Sequence, residues 1–211
     1  DYTYQDIRLA GNFRRNAFDG SLQVEDPNVS LLVNGLVESK RENTVVNLSI
    51  DLEHFKPDKL HLLDKFEEPD ISFALNADFV GNNIDNVVGR INVDDLSFKT
   101  QPDSFYLKKL SVEAGTENGL RQLKIASDLI NGEVKGAYSF GTIVPSFMNT
   151  LKGYIPALIN AKQMSGKFDA NDFTLLLTIE NTEALSHTLK LPVTMIQPAR
   201  IAGSYNNSYN K

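Results

Sequence analysis

The stretch Ile71-Ser72-Phe73-Ala74-Leu75-Asn76-Ala77-Asp78-Phe79 decides the fold. Its odd positions are apolar, and Ser72, Ala74, Asn76 and Asp78 fall between them. That period of two belongs to a strand with one dry and one wet face. The alternation recurs in Ile7, Leu9 and Phe13, in Phe18, Leu22 and Val24, in Val29, Leu31, Val33 and Val37, and in Val46, Leu48, Ile50 and Leu52. Turns rich in Asn, Asp and Pro separate these runs, which predicts an antiparallel meander. His54 to Lys65, with Leu60, Leu62 and Leu63 between Pro57 and Pro69, reads as an irregular crossing.

Beyond the central strand, Gly81, Asn82 and Asn83 turn the chain and Val87 to Val93 returns it. Leu96 and Phe98, Phe105 and Leu107, and Leu110 and Val112 read as further short strands. Asn118-Gly119 is the clearest hairpin signal, because both residues tolerate the positive φ of a tight two-residue turn. Leu123 and Ile125 follow it. In Ile130, Gly132, Val134, Gly136, Tyr138 and Phe140, small and large residues share one parity, so the glycines mark bends or close backbone approach. After Lys167 the strand pattern returns with Phe173, Leu175, Leu177 and Ile179, then Leu189, Leu191 and Val193, and finally Ile201 and Tyr205. A loose unit of glycine followed by alternating apolar residues recurs at Gly20, Gly89 and Gly132, as in an array of similar hairpins.

One stretch has a different period. From 142 to 160, Ile143, Phe147, Leu151, Tyr154 and Leu158 share one arc, widened by Val144, Met148, Ile155 and Ile159, and predict an amphipathic helix inserted into the β array. Pro145 suits its first turn, and Pro156 kinks or splits it near Gly153. Lys152 is the one charge on its polar arc. A helix lying on a lipid surface is usually basic there, so packing on the apolar sheet is the preferred reading and lipid-surface binding the alternative.

The 211 residues suffice for one large β unit or two small domains, and 1–211 is read as a single β fragment. The 27 acidic and 21 basic residues give a net charge of −6, which argues against nucleic-acid binding and favours solubility. Cysteine is absent, which excludes disulfides and cysteine-ligated zinc and weakly suits an oxidising compartment. No apolar run approaches the roughly 18 residues of a membrane-spanning helix. Starting at Asp1 without methionine or signal peptide, and ending in the polar run from Ser204 to Lys211, the chain is expected to be a piece of a longer protein whose anchor lies outside it.

Signals for catalysis are weak. His54, His61 and His187 lack the i, i+4 spacing of a helical metal pair. The clusters Glu25-Asp26, Glu67-Glu68-Pro69-Asp70 and Asp94-Asp95 read as wet strand ends and lack the calcium-loop spacing. Ser165-Gly166-Lys167 looks like the end of a phosphate loop, but Ala161 and Phe168 stand where glycine and a hydroxyl are needed. No Gly-x-Ser-x-Gly elbow occurs. No enzyme, cofactor or metal site is expected.

Lys59-Leu60-His61-Leu62, the Ile71 to Phe79 strand, Gly81-Asn82-Asn83-Ile84-Asp85, Gly89-Arg90-Ile91-Asn92-Val93-Asp94 and Ile130-Asn131-Gly132-Glu133-Val134-Lys135-Gly136-Ala137-Tyr138 resemble the TamB (translocation and assembly module) proteins of the AsmA-like superfamily. The resemblance is most specific over 59–160, and its motifs are structural. It implies a fragment of a periplasmic protein of the Gram-negative envelope, held in the inner membrane by a segment outside this chain. It implies a mainly β fold, an elongated, curved antiparallel sheet forming a U-shaped, taco-like hydrophobic groove. It further implies a role in conducting phospholipid between the inner and outer membranes, or in assembling outer-membrane β-barrel proteins, with phospholipid and a β-barrel assembly protein as partners. The 142–160 helix departs from a pure groove and is expected to plug, cap or interrupt it.

Physical reasoning agrees in kind. Moving a sixteen-carbon acyl chain into water costs about 13 kcal/mol at about 0.8 per methylene, so passage across an aqueous gap needs an apolar lining. About twelve strands at roughly 4.8 Å would make a wall near 55 Å, part of a bridge. The candidate lipid-binding lining is Ile71, Phe73, Leu75, Phe79, Ile91, Val93, Leu123, Ile125, Val134, Tyr138, Phe173, Leu175, Leu177, Leu189 and Leu191. The same residues could instead fill the core of a closed sandwich. A scaffold offering strand edges to nascent barrel proteins is the second functional reading. A carbohydrate-binding module is the third, weakened by the absence of Trp.

Overall fold

A computed structural model describes residues 2–142, 171–191 and 194–206. It contains one antiparallel sheet of eleven strands in the order β1 to β11, each paired with its neighbours in sequence. The strands are β1 (Ile7–Arg14), β2 (Ala17–Asp26), β3 (Val29–Ser39), β4 (Thr44–Phe55), β5 (Asp70–Val80), β6 (Val88–Lys99), β7 (Ser104–Glu117), β8 (Leu120–Ser127), β9 (Ile130–Ala137), β10 (Asp172–Ile179) and β11 (Ala199–Asn206). β1 and β11 form opposite edges, so the sheet is open, and a sandwich is excluded because there is no second sheet among the described residues. Ten gaps of roughly 4.8 Å make it about 48 Å across, and right-handed twist accumulated over eleven strands curves it.

Register joins the apolar positions into rows. Phe13, Phe18, Val37, Val46, Phe79, Gly89, Ala114, Leu123, Val134, Leu175 and Gly203 form one row through all eleven strands. A second row runs from Gly11 through Gly20, Gly35, Leu48, Ala77, Ile91, Val112, Ile125, Gly132 and Leu177 to Ile201. A third joins Leu9, Leu22, Val33, Ile50, Leu75, Val93 and Leu110. These rows share the dry face. On the wet face, Asp78, Arg90, Glu113, Lys124 and Glu133 alternate in sign across five strands. Arg90 donates to Glu113 at 2.8 Å between half-exposed partners, an ion pair that contributes about 0.2–1 kcal/mol.

β6 and β7 are each one long strand, where the sequence suggested several short ones. The phase of their alternation slips together. Val93 faces Leu110 and Leu96 faces Leu107, so each strand advances three residues between dry positions, around Asp95 with φ 53°. An irregularity in the pairing of β5 with β6 between Ser72 and Ala74 accompanies the slip. Beyond it Phe98, Phe105 and Leu107 are buried.

At that end of the strands the dry face is covered. The crossing from Lys56 to Pro69 buries Pro57, Leu60 and Pro69, and Leu60 clusters with Val24, Val29 and Leu52, flanked by Phe55, Ile71 and Phe73. Phe66 meets Phe98 edge-on at 5.2 Å. A short helix, α1 (Glu183–Leu189), packs against β7, and Lys190 beyond it lies 6.0 Å from the Phe66 ring. This helix corrects the sequence reading, which placed Leu189, Leu191 and Val193 on a strand. Asn181 accepts the Glu183 backbone N–H at 2.8 Å, Leu185 and Leu189 recur at i, i+4, and Lys190 ends the helix in the left-handed conformation. The spacing of two between Leu189 and Leu191 imitates a strand only when the preceding turn is ignored. Leu191 is exposed and Val193 falls outside the described residues. Residues 140–142 are helical, and the helix expected over 142–160 otherwise lies outside the described residues.

The Asn118-Gly119 hairpin forms as expected, with φ of 52° and 78° between the paired Glu117 and Leu120. Gly89 is required for a different reason. It has φ 146° opposite Phe79, and a Cβ there would lie 2.2 Å from the Asp78 carbonyl and 2.4 Å from the Phe79 Cα. Gly115, by contrast, has open space at its Cβ position. Gly89→Ala is therefore expected to lower unfolding free energy by about 1–3 kcal/mol. Gly115→Ala should stay within about 0.5 kcal/mol of the parent. Denaturant titration of both variants checks the contrast, and equal midpoints would contradict it.

Candidate functional site: an apolar face with a strap

Six neighbouring members of the central row, Leu22, Val33, Ile50, Leu75, Val93 and Leu110, are all only half-buried. A row enclosed in a sandwich core would be buried. Covering the rest of each such side chain contributes at most about 1 kcal/mol, and the six together give the face capacity for an apolar guest.

The structure places most of the sequence-derived lining on this face. Phe79, Leu123, Val134 and Leu175 share the first row, Ile91, Ile125 and Leu177 the second, and Leu75 and Val93 the third. Phe73 pairs with Leu52, and Ile71 pairs with Phe55 and Phe98. Phe173 and Tyr138 are buried with ring centroids 6.1 Å apart, and Tyr138 also meets Phe140 edge-on at 5.3 Å. Leu189 and Leu191 stand apart, in α1 and the exposed chain after it.

At the end opposite the crossing, the loop Gly81–Val87 reaches across the strands. Gly81 exchanges backbone hydrogen bonds with Thr44, at 2.9 Å from its N–H and 3.3 Å to its carbonyl. The asparagines brace the loop from within. Asn86 Oδ1 accepts from the N–H groups of Asn82 and Asn83 at 2.9 and 3.0 Å, and Asn83 Oδ1 accepts from those of Asp85 and Asn86 at 2.8 and 3.1 Å. These local bonds hold Asp85 toward β8 and β9, where it accepts from Phe140 N at 2.6 Å, Ser139 Oγ at 2.9 Å and Arg121 Nη1 at 3.1 Å. Arg121 also donates to the Tyr138 carbonyl and lies over the Tyr138 and Phe140 rings, 5.2 and 5.7 Å from their centroids. On a flat sheet, β6 and β9 would lie about 14 Å apart across three gaps. Curvature and the loop together bring the two rims into contact.

Burial pushes the Asp85 carboxyl up, but hydrogen bonds from Phe140, Ser139 and Arg121, with the Arg121 charge, outweigh it and hold the group below the usual carboxylate range. Burial raises the Tyr138 phenol; Arg121 opposes the shift and Asp85 reinforces it.

Beneath the strap lies a hollow of about 340 Å³ lined by Phe79, Ile84, Val87, Gly89, Arg90, Ile91, Val112, Ala114, Leu123 and Phe140. Phe79, Ile91 and Leu123 were legible as lining in the sequence. Ile84, Val87, Val112, Ala114 and Phe140 were not, although an isoleucine inside an Asn/Asp loop is a signal that could have flagged Ile84. A larger hollow of about 810 Å³ opens on the wet face among Asn34, Asn47, Asn76, Asp78, Arg90 and Glu113. Its charged and amide side chains suit water, so the smaller hollow is the better candidate for an apolar guest. Among the described residues, no cluster of three or more His, Asp or Glu is placed to hold a metal, and no helix is long and apolar enough to cross a membrane.

No family model, curated protein or solved structure matches this chain.

Asp85→Ala removes the acceptor for three donors at a partly exposed site and is expected to destabilise the chain by about 1–2 kcal/mol. Because the folded-state pKa is depressed, the contribution is complete above the unfolded value of about 3.9 and is lost as pH falls through the folded one. The gap between parent and Asp85→Asn in thermal melts should therefore persist at neutral pH and narrow in acid below about 4. A gap independent of pH would contradict the role of the charge.

Proposed function

We propose that this chain is a segment of a groove that binds and conducts phospholipid acyl chains between the inner and outer membranes of a Gram-negative envelope, by passive shielding and without bond chemistry. The resemblance to TamB proteins supports a periplasmic setting and an anchor outside this chain. The observation that carries the reading is the third row, Leu9 to Leu110, apolar across seven strands and not buried in any of them. Each partly exposed Leu, Val or Ile offers a methylene up to about 0.8 kcal/mol of relief from water, and neighbouring strands repeat the offer every 4.8 Å or so. A hydrocarbon chain thus stays shielded while it advances, and its headgroup stays in solvent.

Edge strands favour a second reading, a scaffold for outer-membrane β-barrel proteins. Among the described residues β1 pairs only with β2, and its Ile7, Leu9 and Phe13 are 56, 58 and 70% exposed. A free edge with alternating apolar side chains is a template for another extended chain.

Photo-crosslinking in cells separates the two. A photoreactive residue at Phe73 or Leu175 should yield phospholipid adducts, while one at Leu176, on the wet face opposite Glu133, should yield few. Protein adducts at Leu9 with no lipid at Phe73 or Leu175 would overturn the groove reading in favour of the scaffold.

A further inference from the structure

We infer that the Gly81–Val87 loop is a latch that encloses the end of one aliphatic chain against Phe79, Ile91 and Leu123, with Asp85 as the pin that holds it closed. The inference rests on the groove reading and specifies how one end of the groove holds its guest.

Three observations carry it. First, the hollow is roofed by residues of the loop itself, Ile84 and Val87, and floored by the sheet, so loop position controls access. Second, the lining offers a guest carbon alone. Arg90 is the one charged member, and its guanidinium is engaged by Glu113 at 2.8 Å on the wet side. Ligand pockets ordinarily carry a few polar groups that fix orientation. Their lack here selects a hydrocarbon tail over a headgroup, sugar or peptide, each of which would bury unpaired polar atoms. About 340 Å³ lies at the small end of the range for ligand sites, which suits one chain end. Third, the loop is braced internally by Asn82, Asn83 and Asn86 but fastened to the far rim through a single side chain. A loop stiff in itself, anchored on its near side by the Gly81–Thr44 pair and the Asn82 bond to the Glu42 carbonyl, is free to swing about that anchor when its one far-rim fastening is released.

Binding of cis-parinaric acid, a fluorescent fatty acid, tests this, and the absence of tryptophan keeps background emission low. Ala114→Phe, which fills the hollow, should weaken binding by about tenfold or more. Ile84→Ser, at a residue 65% exposed and therefore safe for folding, should weaken it by about threefold. Asp85→Asn should speed probe release by about tenfold. If Ala114→Phe fails to fold, Ile84→Ser and Asp85→Asn decide. Unchanged affinity and release in these variants, with binding lost instead in Leu75→Gln at the centre of the face, would overturn the latch and leave the groove intact. No binding by the parent chain would overturn both.

Discussion

Eleven strands paired in sequence order commit their backbone hydrogen bonds to immediate neighbours and, among the described residues, leave the side chains of an entire face without a second sheet to meet. That constraint governs the rest of the structure. Chain that returns over such a face removes part of it from water, and the described residues return at the strand ends. The Lys56–Pro69 crossing and α1 cover one end, and the Gly81–Val87 strap covers part of the other. Burial follows this geometry. Leu52, Leu60, Phe98, Phe105 and Leu107 are buried near the crossing, while Ile50, Val93 and Leu110, a few residues away on β4, β6 and β7, are not.

Covering pieces also act as braces. A curved sheet joined only through neighbouring strands bends about the strand axes, because hydrogen bonds fix adjacent pairs and nothing fixes distant ones. Asp85 ties the β5–β6 loop to the end of β9 and the start of β8, and α1 bridges from β10 to β7. Each tie fixes strands that do not touch, and so sets the curvature of the trough. The two ties differ in chemistry. The crossing holds through aliphatic and aromatic contact together with hydrogen bonds such as that from Gln101 N–H to the Glu67 carbonyl at 3.0 Å, whereas the strap is fastened to the far rim through one carboxylate. The Asp85 fastening lies beside the hollow lined by Phe79, Ile91 and Leu123.

Local pattern made much of this legible in the sequence. Alternation in Ile71–Phe79 and its neighbours carries strand identity, facing and sheet order, because side-chain period and short turns leave an antiparallel meander few alternatives. The Asn118-Gly119 turn followed from backbone conformational preference alone. What escaped depends on partners distant in sequence. β6 and β7 looked broken because both slip phase around Asp95, and only their mutual pairing shows that the slips compensate. Leu189 and Leu191 imitate a strand, and the helical turn before them is decided by the Asn181 bond and by packing on β7. The strap read as a plain turn because its Asn and Asp residues are ordinary turn formers. The significance of Asp85 depends on sheet curvature bringing Arg121, Ser139 and Phe140 within reach.

The chemistry of the dry face sets what kind of binding it can support. A site built for tight, oriented capture places hydrogen-bonding groups at fixed points in an apolar wall. Here the central rows carry Val, Leu and Ile strand after strand, with no charged side chain in the third row from Leu9 to Leu110. Hydrophobic contact is non-directional and scales with area, so a guest sliding from one strand to the next exchanges nearly equal contacts and meets a low barrier between them. Polar anchors would deepen particular positions and trap it. Under the groove reading, the uniformity that makes this face chemically uninformative is the property that transport requires. Selectivity must then come from what excludes polar groups and from what closes an end, here the strap and its single far-rim pin.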